Sequence, residues 1–95
     1  MEEGRNRVER QFEIVNRLGL HARAAAKLVQ LANRFASEIR IAKNGVEANA
    51  KSIMGVLMLA AHRESFVLVR AEGPDAADAI KAIGTLIAQK FGEKE

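Results

Sequence analysis

The chain has 95 residues, 48% of them apolar, a formal charge of +3 and no cysteine, tryptophan or tyrosine. That length supports one domain spanning 1–95, with a core over about 8–91 and short flexible termini, and leaves no room for a separate catalytic lobe. The absence of cysteine excludes a disulfide framework and thiolate chemistry; the longest apolar run, residues 56–61, is far shorter than a membrane span. Residues 1–7 lack the apolar segment of a secretory leader, so a cytoplasmic protein without membrane insertion is expected.

Residues 8–15 read as a first strand, with Val8, Phe12 and Ile14 on one face of a period-2 pattern. Asn16 and Gly19 mark a loop. Ala24, Ala25, Leu28, Leu31, Ala32 and Phe35 then recur at helical spacing and predict a helix over 22–35. Residues 37–43 alternate Ile39 and Ile41 with Glu38 and Arg40, a strand with one wet face. Asn44-Gly45 is a two-residue hairpin signal, because both positions favour positive φ; residues 46–50 return antiparallel.

Ser52 stands where the N-cap of a short helix belongs. That helix holds Ile53, Met54, Val56, Leu57, Met58 and Leu59, too many apolar residues for one buried stripe, so some of them face solvent or a partner. Residues 66–72 form a last strand, apolar at Phe66, Val67, Leu68 and Val69 and therefore expected to be central and covered. Gly73-Pro74-Asp75 breaks it and opens a final helix, whose buried stripe runs through Ala76, Ala79, Ile80, Ile83, Leu86, Ile87 and Phe91. Residues 92–95 read as a frayed tail. The order is βαββαβα, an α+β domain with a four-stranded antiparallel sheet; a ferredoxin-like split βαβ arrangement begins in the same way.

The mild basic excess suits an acidic protein partner better than nucleic acid. Arg7 and Arg10 are interleaved with Glu2, Glu3 and Glu9, and no aromatic platform for base stacking is present.

The run Gly19-Leu20-His21-Ala22-Arg23-Ala24-Ala25-Ala26-Lys27 sets an imidazole at a strand-to-helix junction. There the unpaired N–H groups of Ala22, Arg23 and Ala24, the positive helix end and the Arg23 side chain favour a dianion. Neutral histidine is a nucleophile near pH 7 and is itself able to take a phosphoryl group. Lys27, one turn on, reads as a solubilising residue, and Gly19 as the source of a tight turn.

This run resembles the active-site signature of the histidine-containing phosphocarrier (HPr) family of the bacterial phosphoenolpyruvate-dependent phosphotransferase system. Lys51-Ser52-Ile53-Met54-Gly55-Val56 resembles that family's regulatory-serine segment, at the expected separation. The likeness runs over residues 8–91. It implies an open-faced β-sandwich with strand order 1-4-2-3 and three helices on one face. It also implies a carrier rather than an enzyme, monomeric and without cofactor or metal. In such a carrier the residue matching His21 accepts the phosphoryl group on Nδ1 from phosphorylated Enzyme I and passes it to sugar-type or nitrogen-type IIA domains. Arg23 would meet the phosphoryl oxygens, and Ser52 would be the target of an ATP-dependent HPr kinase/phosphorylase. Ala22, Lys51, Ile53 and Met54 would dock partners. Ala24 departs from the family's usual proline, which loosens the first turn and restores an N–H. Leu18 and the 16–19 lead-in lean toward the nitrogen-type branch, while residues 51–55 lean toward the kinase-regulated branch. Two other readings stand beside the carrier: a non-transferring regulatory relative, a kinase substrate or corepressor that would not need His21, and a small basic nucleic-acid-binding domain. His62, between Ala61 and Arg63, reads as a solvated histidine rather than a second site.

Overall fold

The computed structural model of the chain describes residues 6–95; the expected flexible start of the chain falls on residues 1–5, outside the described residues. The elements are β1 (Asn6–Glu13), α1 (Ala22–Ala32), β2 (Glu38–Lys43), β3 (Val46–Asn49), α2 (Ile53–Met58), β4 (Phe66–Gly73) and α3 (Ala76–Ala88), followed by a 3-10 turn at Lys90–Gly92. One antiparallel sheet carries the order β1-β4-β2-β3, which is the sandwich order and not the split βαβ alternative.

Side-chain alternation explains why the sheet is covered on one face only. Val67, Val69 and Ala71 of β4 are buried, as are Ile39 and Ile41 of β2. The pairs Ile39↔Ala71 and Ile41↔Val69 put these residues on one surface. The other face of β4 presents Phe66 and Leu68 to solvent at 54% and 37% exposure, so the expectation of a covered strand holds for one face alone. Arg70 lies on that open face, where its Nη2 donates to Glu47 Oε2 at 2.6 Å and its Nη1 lies 3.7 Å from Glu9 Oε2. Solvated pairs of this kind add little stability, but they dress the open face in both signs of charge.

The buried face is filled by α1 through Ala24, Ala25, Leu28 and Ala32 and by α3 through Ala76, Ala79, Ile80, Ile83 and Ile87. Small alanines let both helices approach the sheet closely. Gly84 extends this logic, because a Cβ there would sit 2.7 Å from the Phe12 ring, so its absence makes room for β1's largest side chain against α3. Each fully buried Ile or Leu contributes about 1.5–3 kcal/mol relative to exposure.

Several boundaries shift from expectation for local reasons. The β1–β4 ladder runs from Asn6↔Gly73 to Glu13↔Phe66, so the strand starts earlier and leaves Ile14 and Val15 in the loop. The first helix stops at Ala32, where the ladder tightens to 3-10 bonds: Arg34 N–H donates to the Leu31 carbonyl at 3.0 Å and Phe35 N–H to the Ala32 carbonyl at 3.2 Å. Phe91 is fully buried, yet not as a continuation of α3: Lys90, Phe91 and Gly92 take φ of 59°, 55° and 80°. Two non-glycine residues in the left-handed region cost about 2–4 kcal/mol. Burial of the Phe91 ring, about 3 kcal/mol, and the 2.7 Å bond from Lys27 Nζ to the Phe91 carbonyl, about 1 kcal/mol, offset this. The reversal sends residues 93–95 back toward the start of α1, so the frayed tail expected for residues 92–95 is instead folded against the domain.

Asp75 stands at the N-cap position of α3 but makes no side-chain cap. Its carboxylate reaches across to the α1–β2 loop, accepting from Ser37 Oγ at 2.5 Å and from the N–H groups of Ala36 and Ser37, both at 2.9 Å. The Ser37 hydroxyl, followed by the Ala36 amide, holds the Asp75 carboxyl below its ordinary value of 3.8. A depressed carboxyl stabilises the fold above the unfolded value, and that stability is lost as pH falls through the folded value. Urea midpoints for wild type and Asp75→Asn are therefore expected to differ by a constant amount near neutrality and to converge below about pH 4. A difference that stays constant into acid would show that the carboxylate's charge is not what holds the loop.

Candidate functional site

The approach to the site begins at the loop through Asn16, Gly19 and Leu20, which are buried. Leu20 N–H donates to the Ala61 carbonyl at 2.8 Å, and Gly19 N–H to the Asn16 carbonyl at 3.2 Å. Gly19 has φ +67°, and a Cβ there would lie 2.6 Å from the Ala61 oxygen and 2.8 Å from His62 Cα. Only glycine combines that conformation with that closeness. The chain thus enters α1 at a set angle, with Leu20 buried and His21 at the N-cap in extended conformation, φ −73° and ψ 178°.

His21 caps its own helix. The Arg23 N–H donates to His21 Nδ1 at 3.2 Å. Because an amide N–H donates only, Nδ1 offers its lone pair to the first turn, and the ring proton belongs on Nε2. Nε2 faces the Glu93 carboxylate and donates to its Oε2. The other oxygen of Glu93 accepts from Asn16 Nδ2 at 2.9 Å, and the same amide nitrogen donates to the Gly19 carbonyl at 2.8 Å. Asn16 is fully buried, and its Oδ1 has no partner among the described residues. Burial pushes the Glu93 carboxyl up, but the Asn16 and His21 hydrogen bonds and the nearby Lys27 charge outweigh it and hold the group below its ordinary value.

An open groove of about 690 Å³ adjoins the ring, lined by Arg17, Leu18, His21, Ala22, Arg23 and residues 93–95. His21 keeps 28% of its side chain exposed. Arg23 is exposed, and no hydrogen bond or ion pair engages its guanidinium among the described residues. Ala22 and Ala24 occupy the first turn, where no carbonyl lies one turn back to accept their N–H groups. His21, Ala22 and Arg23 at the start of α1 therefore line one open groove.

The other sequence candidates fall as follows. Ser52 is the N-cap of α2 and accepts from Gly55 N–H at 3.2 Å. Ile53, Met54 and Met58 are exposed at 41%, 66% and 77%, the surplus that the short helix was expected to present. Lys51, read as a docking residue, has its ammonium on the Phe35 carbonyl at 2.7 Å, so it ties α2's entry to the end of α1. Lys27 is anchored on Phe91 rather than merely solvated. His62 is exposed, with Nδ1 near the Arg63 carbonyl and Ser65 Oγ. No metal-holding group of acidic, His or Cys side chains occurs among the described residues, and no helix is long and apolar enough to cross a membrane.

Sequence reasoning gave no site role to Asn16, read as a loop former, to Glu93, placed in the tail, or to Leu18, read as a branch marker and exposed at 65% in the groove beside His21. Gly92 after an apolar Phe91 was the available signal, since a glycine just past a helix marks a left-handed reversal.

The family model for the "PTS HPr component phosphorylation site" matches residues 8–89. The phosphocarrier protein HPr of Cupriavidus necator is 51% identical over 88 residues, covering 93% of this chain and 99% of that protein. The crystal structure of HPr-C-His from Thermoanaerobacter tengcongensis superposes with TM-score 0.90 at 46% identity, covering 93% of this chain and 99% of the other. That of HPr from Bacillus anthracis gives 0.83 at 41% identity, with coverage of 85% and 96%. The chain belongs to the HPr family of phosphocarrier proteins of the phosphotransferase system. It is a phosphoryl relay protein rather than a catalytic enzyme.

Because Gly19 sets the entry to α1, Gly19→Ala is expected to cost about 2 kcal/mol through its backbone overlap and positive φ. Thermal melting would then fall by roughly 8 to 16 °C. An unchanged melting temperature would mean that the loop has another route into the helix.

Proposed function

We propose that this carrier accepts its phosphoryl group from phosphorylated Enzyme I on Nδ1 of His21 and delivers it to IIA domains, acting as a monomer in the cytoplasm. The observation that carries this reading is the Nδ1 lone pair aimed into the first turn of α1, 3.2 Å from the Arg23 N–H. A phosphoryl group attached there brings its oxygens to the positive helix end, within reach of first-turn amides and of the Arg23 guanidinium. Arginine suits this role because its planar fork can grip two oxygens at once. Nucleophilic attack by a neutral imidazole needs little beyond position and charge compensation.

Docking follows from the exposed apolar residues. Ile53 and Met54 on α2, with Ala22 and Arg23 at the mouth of α1, supply apolar contact beside positive charge. α1 and α2 pack against each other in opposite directions, with Leu20 N–H on the Ala61 carbonyl at one end and Lys51 Nζ on the Phe35 carbonyl at the other, so the proposed surface runs along the helix pair from the mouth of α1 to the start of α2. Flexible methionines accept partners of different shape, which a protein with a donor and several acceptors requires. The family partners Enzyme I and IIA domains are the ones this surface is proposed to meet.

His21 as sole acceptor has a direct test. Incubation with phosphoenolpyruvate and Enzyme I is expected to add one acid-labile phosphate by intact mass, and His21→Ala to add none. An acid-labile phosphate on His21→Ala would contradict the assignment.

Ser52 is proposed as a second, regulatory site for an ATP-dependent kinase. Phosphate at a helix N-cap keeps company with the positive helix end, so the fold is retained. Its effect is electrostatic: about −1.5 to −2 charges enter a surface that must meet an acidic partner. For unit charges roughly 10 Å apart, the repulsion is about 0.4 to 1.7 kcal/mol per pair, for effective dielectrics of ~80 down to ~20. Ser52→Asp is expected to slow His21 phosphorylation relative to wild type and Ser52→Ala, with the defect shrinking as salt is added. Equal rates for all three would leave Ser52 as a helix cap only.

A further inference from the structure

Glu93 is the one carboxylate hydrogen-bonded to His21 among the described residues, and it is reached from 72 positions away in the chain. Three features build the contact. The left-handed reversal at Lys90, Phe91 and Gly92 turns the chain toward α1. Lys27 Nζ pins that reversal through the Phe91 carbonyl at 2.7 Å. Asn16, fully buried, then holds Glu93 Oε1 at 2.9 Å while its second N–H is taken by the Gly19 carbonyl at 2.8 Å. With both partners being acceptors, the Asn16 amide has one orientation, and it leaves Glu93 Oε2 for His21.

We infer that Glu93, oriented by Asn16, is a positioning residue for phosphoryl transfer in both directions: it keeps the proton of His21 on Nε2 and balances the positive charge that the ring gains when Nδ1 binds phosphorus. The inference rests on the reading of His21 as acceptor. In the inward step the Nδ1 lone pair forms the N–P bond, while the bond from phosphorus to the donor's leaving atom breaks and its electron pair departs with the donor. The His21 ring retains its Nε2 proton and becomes a cationic phospho-imidazolium, with the Glu93 carboxylate beside the charge. In the outward step the acceptor's lone pair attacks phosphorus and the N–P electron pair returns to Nδ1. The ring then leaves as neutral imidazole, because Nε2 still carries its proton. Without that proton the leaving group would be an imidazolate, a far poorer one. A carboxylate behind an imidazole performs the same orienting and charge-balancing task in hydrolase triads, where the carboxylate stays ionised. Burial is outweighed by the Asn16, His21 and Lys27 interactions taken together, which leave the Glu93 carboxyl below its ordinary value and so ionised at neutral pH.

Glu93→Gln separates this role from mere docking of residues 92–95. The glutamine keeps the size of the side chain, but Asn16 donates to its carbonyl oxygen and so turns the amide NH₂ toward His21 Nε2, which favours the wrong tautomer. Nitrogen-15 NMR of labelled histidine is expected to show the Nε2–H form in wild type and a shift toward Nδ1–H in Glu93→Gln. Single-turnover phosphorylation at saturating phosphorylated Enzyme I should slow about tenfold, as on loss of a partly solvated charge-assisted hydrogen bond. Glu93→Asp, which retains the carboxylate, should recover part of that rate. His21→Ala, run alongside, must take no acid-labile phosphate. If it does take one, the acceptor reading fails and this inference with it. If it takes none and Glu93→Gln matches wild type at saturation, or changes only the concentration dependence, the acceptor reading stands and the positioning role is overturned.

Discussion

The first turn of α1 has amide groups with no carbonyl behind them, and the side chain turned toward them is an imidazole. Helices more often begin at serine, threonine, aspartate or asparagine, whose oxygens accept from those amides. With histidine there, the acceptor is Nδ1, so capping the helix also turns that lone pair toward the positive helix end. The rest of the molecule keeps that geometry in place. Ala24, Ala25, Leu28 and Ala32 seat α1 on the sheet, and the Gly19–Leu20 loop, closed on Ala61, delivers the chain to the helix at one angle.

A carrier has to bind its cargo without trapping it, and the site shows the compromise. His21 is about a quarter exposed and borders an open groove, so its ring can be reached from outside. The charges around the groove are the Arg23 guanidinium, the flanking Arg17 and Lys94 side chains and the partial charge of a helix end, modest beside a metal or a closed oxyanion pocket. Ala24 in place of the family's proline fits this balance: it is fully buried in the helix, and it adds one amide to the first turn. The opposite side of the ring is where the structure invests its buried polar contacts, through Glu93 and Asn16.

Features dictated by neighbours in the chain were legible in the sequence. His21 and Ser52 read as helix starts, Asn44-Gly45 as a hairpin and the alanine-rich stripes as buried faces, and each holds because spacing alone decides it. The strand order needed family resemblance, since local patterning is the same for both βαββαβα topologies. Phe66 and Leu68 misled, because an apolar run in a central strand does not tell one covered face from two. The Glu93–His21–Asn16 contact was hidden for a different reason. It depends on a reversal through Lys90 and Phe91, residues with no intrinsic preference for positive φ, and it is enforced by burial of the Phe91 ring and by Lys27, 64 residues away.

In the proposed transfer the two ring nitrogens do different work: Nδ1, at the helix mouth, takes phosphorus, and Nε2, at Glu93, keeps the proton. The most direct measurement is phosphorus–nitrogen coupling by NMR in the phosphorylated, nitrogen-15 histidine-labelled protein. A coupling from phosphorus to Nδ1 of His21, with a phosphoryl oxygen replacing the Nδ1 lone pair as acceptor of the Arg23 N–H, is the expected result. Phosphorus bonded to Nε2 would contradict it, since that nitrogen lies against a carboxylate and away from the amides that are held to receive the charge.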